Sequence, residues 1–269
     1  MPYSTRAAVL GLLLLLAVAP VRAEDAPPAS TAPTPSPLQT YLEAGATHTG
    51  ALGWKGMEVG SFVEFQSTHM MPTTGGTHRK TVSDTRIALT DRKGDSVWLQ
   101  TSMRMTPTAA WRTHPARKRE RLARKPAPTR VERPKTTLVL GKTKYECREI
   151  AWVVKQGGTT RDSLVLFVHP QHGVLRWISH EGNWTSTYTA RRLQVDHVVG
   201  KTKLDCREFE RIATASNMNT RMESLELWCA AVPDWLVRSK TEQAMPGGAK
   251  STQVRKLTNY EARTAKASK

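Results

Sequence analysis

The sequence predicts a mainly β fold: antiparallel meander sheets, partly built from a tandem duplication of a four-strand unit, in a form that admits an unclosed curved sheet. Three observations predict it. Residues 141–149 read Gly-Lys-Thr-Lys-Tyr-Glu-Cys-Arg-Glu, and residues 200–208 read Gly-Lys-Thr-Lys-Leu-Asp-Cys-Arg-Glu, so seven of nine positions match at a spacing of about sixty residues. Extended runs alternate with turn residues through most of the chain. No stretch sustains the 3.6-residue apolar spacing of a long helix.

The first element is an export signal. Arg6 supplies a positive start, Ala7 to Ala19 is an apolar run around Leu12–Leu16, and Val21-Arg22-Ala23 offers small residues for cleavage. Thirteen apolar residues fall short of the roughly 20 needed to span a bilayer. Residues 1–23 therefore read as a cleaved signal peptide, placing the mature chain in the periplasm or outside the cell, with no membrane span. Residues 24–53 form a Pro/Ala-rich spacer, in which Leu38 to Glu43 has the makings of one short helical turn.

Residues 54–106 form an N-terminal β block. Phe62 to Gln66, Lys80 to Leu89 and Ser96 to Gln100 read as strands, separated by turn chemistry at Met71–Gly76 and Asp91–Asp95. Residues 107–135 differ: they hold ten Lys or Arg, only Glu120 and Glu132 as acids, and five prolines. Little there can offset the entropy of ordering, so the expectation is a mobile basic loop, or a frayed helix around Arg117–Arg124.

The repeat follows, with copy 1 at 136–196, copy 2 at 197–262 and a basic tail at 263–269. Copy 1 divides into strands at 141–155, 161–169, 173–180 and 184–196; copy 2 divides at 200–214, 221–230, 235–242 and 250–262. Tyr145 and Cys147 share one parity while Ile150 and Trp152 take the other, and Leu204, Cys206 and Phe209 do the same. A β-bulge beside the Arg-Glu pair of each copy would produce that shared slip.

Charge and motifs bound the function. The chain carries 40 Lys and Arg against 23 Asp and Glu, a net +17, which favours contact with anionic surfaces without dictating a fold. Arg117, Lys118, Arg119, Arg121, Arg124 and Lys125 are the candidate contacts for an anionic envelope polymer or lipid. Gly-Lys-Thr at 141 and 200 lacks the earlier glycine of a phosphate loop and precedes strands, so no nucleotide is expected. Cys206 and Cys229 lie in adjacent predicted strands and are the candidate disulfide. Cys147–Cys206 is a second pairing, and three reduced core thiols a third. His169 and His172 sit in one bend with too few companions for a metal site. No catalytic, cofactor or metal residues are assigned.

The Gly60-Ser61-Phe62-Val63-Glu64-Phe65 opening, together with Cys206 followed by Trp228, Pro233 and Trp235, resembles uncharacterised bacterial envelope proteins. Some of these are similar to the lipoprotein-carrier (LolA-like) group. That resemblance, covering residues 54–262 in pattern, implies a curved sheet wrapped as an unclosed barrel around a hydrophobic ligand. The function expected is non-catalytic: an exported β-sheet protein binding a hydrophobic or anionic envelope partner. The alternatives are an exported hydrolase or redox enzyme using Cys147 or the His169/His172 bend, and a structural surface protein.

Overall fold

Each copy of the repeat begins at a two-residue turn whose first residue is glycine. Gly141 has φ 60° and Gly200 φ 59°, in the left-handed region that a side chain disfavours. Turns opening this way match the right-handed twist of the strands they join. Leu140 accordingly pairs with Thr143, and Val199 with Thr202, across the two turns.

A computed structural model describes residues 37–43, 53–54, 56–73, 76–94, 96–119, 128–156, 159–216, 220–245 and 248–264. The signal peptide, most of the spacer, most of the basic tail, and Arg121, Arg124 and Lys125 lie outside the described residues. A short helix, α1 (Pro37–Glu43), precedes fourteen strands: β1 (Phe62–Pro72), β2 (His78–Lys93), β3 (Ser96–Arg104), β4 (Arg112–Thr113), β5 (Arg117–Arg119), β6 (Thr129–Leu140), β7 (Thr143–Gln156), β8 (Thr159–His169), β9 (Gly173–Glu181), β10 (Trp184–Val199), β11 (Thr202–Ala215), β12 (Thr220–Trp228), β13 (Leu236–Ala244) and β14 (Lys250–Glu261). All belong to one antiparallel sheet, ordered β4-β3-β2-β1-β14-β13-β12-β11-β10-β9-β8-β7-β6, with β5 also on β3. Among the described residues β6 does not pair back onto β3, β4 or β5, so the sheet is not closed.

The expected slip is present in both copies, and the extra residue lies on the preceding strand. Arg133 pairs with Glu149 and Thr136 with Cys147, so Pro134 and Lys135 oppose Arg148 alone. Arg192 pairs with Glu208 and Val195 with Cys206, so Leu193 and Gln194 oppose Arg207 alone. Two residues against one bend the ladder and change which parity is covered. Cys147 and Ile150 are both fully buried as a result, as are Cys206 and Phe209.

The same relation extends beyond the two copies. β1 stands against β14 as β11 stands against β10, again with an extra residue, Thr258, on the preceding strand. β6 stands against β7 as β10 stands against β11. The sheet thus runs through three four-strand units, and the third (β1, β2, β3 and β6) is divided by the opening of the sheet.

The basic segment departs from expectation. Residues 129–135 are the first half of β6, and Arg117–Arg119, expected in a loop or frayed helix, pair with Val97–Leu99. Composition misjudges β6 because it is an edge strand. Its exposed side chains bury almost nothing, while β7 satisfies its backbone. Pro134 and the charges on this edge discourage a further strand from adding.

Curvature follows from connectivity. Twelve inter-strand steps of about 4.8 Å would set β5 and β6 about 58 Å apart in a flat sheet. The ten-residue step from Arg119 to Thr129 reaches at most about 36 Å. In addition, β10 contacts β14, four places away in the sheet.

Cross-strand partners share a face. One such row runs Ala190, Phe209, Glu226, Ser239, Arg255 and Ser67 from β10 to β1. Two apolar clusters make up the core. The first joins Leu42 of α1 to Ile150, Leu166, Trp177, Phe209 and Trp228. The second joins Trp54 and Met57 to Val63, Phe65, Cys206, Val237 and Leu257.

Candidate functional site

The site is built where copy 1 meets copy 2. The bulge in β10 lifts Leu193 and Gln194 out of the regular ladder opposite Arg207. After Trp228 the chain leaves β12 and turns through residues 229–235, with Asp234 and Trp235 at φ 67° and 57°. Backbone bonds from Val232 N to the Cys229 carbonyl (3.2 Å) and from Trp235 N to the Val232 carbonyl (3.0 Å) hold this turn. Between these features, under Leu38 of α1, lies a cleft of about 490 Å³. Its apolar walls are Leu38, Leu193, Phe209, Trp228 and Trp235, and its polar members include Arg207, Asp205 and His172.

Arg207 and Asp205 are the charged groups that line the cleft. Arg207 is half-buried, and burial lowers its pKa while Asp205 opposes that shift. One guanidinium N–H donates to the His172 carbonyl at 2.8 Å. A guanidinium has five donors, so its remaining edge can meet an anionic oxygen. Its counterpart in copy 1, Arg148, is spent differently, 3.7 Å from both Glu43 and Glu132 on the surface.

Above the cleft sits an aromatic wall. Trp177 stacks on Tyr188 at 4.2 Å, and Phe209 and Trp228 meet Trp177 edge-on at 5.1 and 5.7 Å. Glu226 is buried beside it and accepts a bond from Trp228 Nε1 at 2.9 Å. Burial pushes this carboxyl up, while Arg211, 3.8 Å away, and the Trp228 N–H pull it down. Burial likewise pushes the Tyr188 hydroxyl up. The Nε of Arg211 is buried without a hydrogen-bond partner, next to a smaller cavity of about 260 Å³ lined by Ser179, Trp184, Ser186 and Met222.

Compared with family models, curated proteins and solved structures, the chain matches none. Its own geometry therefore carries the functional reading.

The residues singled out from sequence fall in several places. Arg117 and Lys118 are exposed on β5, with Lys118 Nζ 5.8 Å over the Trp98 ring; Arg119 belongs to the same strand. Cys206 and Cys229 meet in the second cluster, whereas Cys147 lies in the first, so Cys147 and Cys206 are not brought together. All three are free thiols. Cys147 is fully buried and donates to the Tyr145 carbonyl at 3.6 Å, and burial together with Glu146 pushes its thiol up to about 11. Nothing in that setting forms a thiolate nucleophile. His169 and His172 stack at 4.8 Å, with Tyr145 edge-on to both. Among the described residues no three His, Cys, Asp or Glu side chains gather as metal ligands.

Arg207, Arg211 and Glu226 escaped the sequence reading. One signal was available. The repeat match sets Glu226 against Val165, and the ladder, in which Phe209 pairs with Glu226 as Ile150 pairs with Leu166, sets it in the place of Leu166; both are buried, and a carboxylate replacing a core aliphatic residue marks a special site.

Proposed function

We propose that the protein is an exported, non-catalytic binding protein whose cleft takes an amphiphile: an acyl-like apolar chain with an anionic headgroup. The observation that carries this reading is Arg207, half-buried in a cleft that it lines together with Asp205, His172 and Gln194 and with the apolar side chains of Phe209, Trp228, Trp235, Leu38 and Leu193. Apolar walls with few, well-placed polar groups are the common form of small-molecule sites, and about 490 Å³ lies within their usual range of roughly 300–1,000 Å³. The aromatic and aliphatic side chains suit a hydrocarbon chain. The free edge of Arg207 suits a carboxylate or phosphate oxygen. The unclosed, curved sheet suits the carrier-like role that the resemblance implies.

Isothermal titration with dodecanoate, dodecanol and dodecyltrimethylammonium tests the proposal. Dodecanoate should bind tightest, and Arg207→Met should weaken dodecanoate about 10- to 100-fold while leaving dodecanol nearly unchanged. Equal affinity for all three ligands, or full dodecanoate affinity in the variant, contradicts it.

A further inference from the structure

We infer that Cys206 and Cys229 form a disulfide that fastens the wall of the cleft to β11. β11 and β12 pair in antiparallel steps ending at Glu208 with Leu227 and Arg207 with Trp228. One step further along the same ladder, position 206 faces position 229. Directly opposed residues of an antiparallel pair stand about 4.5–5.5 Å apart at Cα, inside the roughly 4.4–6.8 Å span that a disulfide bridges. Both side chains are buried in the same apolar cluster, and Cys229 lies close enough to raise the pKa of the Cys206 thiol.

Copy 1 supplies an internal contrast. Its ladder ends at Arg148 with Val168, so one step further Cys147 faces His169 and has no second thiol. The odd cysteine is therefore Cys147, shut in the first cluster.

The chemistry balances with a disulfide oxidant, such as oxidised glutathione or a protein disulfide. Cys229 lines the cleft and is the thiol that meets the oxidant. It loses its proton and displaces one oxidant thiolate, leaving a mixed disulfide. Cys206 then loses its proton and displaces the second thiolate. The two cysteines are oxidised by two electrons in all, and the oxidant becomes two thiols. Burial, aided by Cys229, pushes the Cys206 thiol up to about 12, so exchange in the folded protein is slow and the bond forms as the chain folds. Closing the link holds residues 229–235, and with them Trp235, against β11.

The test uses the full mature chain refolded with oxidised glutathione, denatured without reductant, alkylated and weighed. One alkylated cysteine, Cys147, and a linked peptide pair containing Cys206 and Cys229 are expected. Cys147→Ser should keep the link; Cys206→Ser and Cys229→Ser should each show two alkylated thiols. The oxidised wild type should melt about 5–10 °C above its reduced form. Three alkylated thiols in the refolded wild type, or a link through Cys147, overturns the inference. None of these readouts depends on ligand binding, so they stand apart from the test of the amphiphile proposal.

Discussion

At the scale of single residues, the inner face mixes aromatic rings with charge, and each makes its own prediction. Trp177 is almost wholly buried and touches Tyr188, Phe209 and Trp228. Trp177→Ala should cost about 3–5 kcal/mol, read from urea unfolding. Glu226 has a folded pKa above its ordinary value. The native state therefore holds its proton to higher pH than the unfolded state does, and stability falls as pH rises through the raised value. Glu226→Gln keeps an acceptor for Trp228 Nε1 and removes that slope. The stability of the variant relative to wild type should rise as pH climbs above the ordinary carboxylate range; a flat difference in urea midpoints would contradict the assignment. Little of this was legible beforehand. Alternation along Leu225-Glu226-Leu227 suggests buried leucines around an exposed acid, yet Leu225 is 43% exposed and Glu226 8%. Which side of a strand faces inward depends on the ladder beside it, and sequence alone does not fix that when a bulge intervenes.

At the scale of elements, the sequence was far more informative. Turn glycines and alternating runs placed every strand of both copies to within a few residues, because a repeated glycine turn and a repeated parity slip are local signals. The parity slip predicts a bulge next to the Arg-Glu pair. The ladder assigns the extra residue to β6 and β10, the partner strands, which only pairing can reveal. The described parts of the basic segment form strands for the related reason that an edge strand draws its order from its neighbour's backbone and needs no apolar residues of its own. Equivalence of the copies has a direct consequence. Neither Gly141 nor Gly200 has any atom within 4 Å of where a Cβ would stand, so alanine there meets only the backbone penalty of positive φ. Gly141→Ala and Gly200→Ala should each cost about 1–2 kcal/mol, and by similar amounts. A marked inequality in their thermal midpoints would mean that the two turns serve different purposes.

At the scale of the whole molecule, three four-strand units make a curved sheet that stops short of closure, with basic β4 and β5 along one edge and β6 along the other. The net charge of +17 predicts retention on heparin that falls steeply with salt. Deleting residues 112–135 would remove β4, β5 and half of β6, so the contribution of the edge is better read from Arg117→Ser with Lys118→Ser. That pair should elute at lower salt than wild type, and unchanged elution would free β5 of any role. The division of the third unit by the opening was not visible in the sequence, since β1–β3 share the pairing pattern of the copies without their residues. The cleft between copies 1 and 2 is the proposed seat of an amphiphile. Photo-crosslinking with a diazirine-bearing dodecanoate, mapped by mass spectrometry with and without excess dodecanoate, addresses it most directly. Competable label should fall on Leu193–Gln194 and on residues 228–235; competable label confined to β1–β3, or label that excess dodecanoate does not displace, would contradict the account.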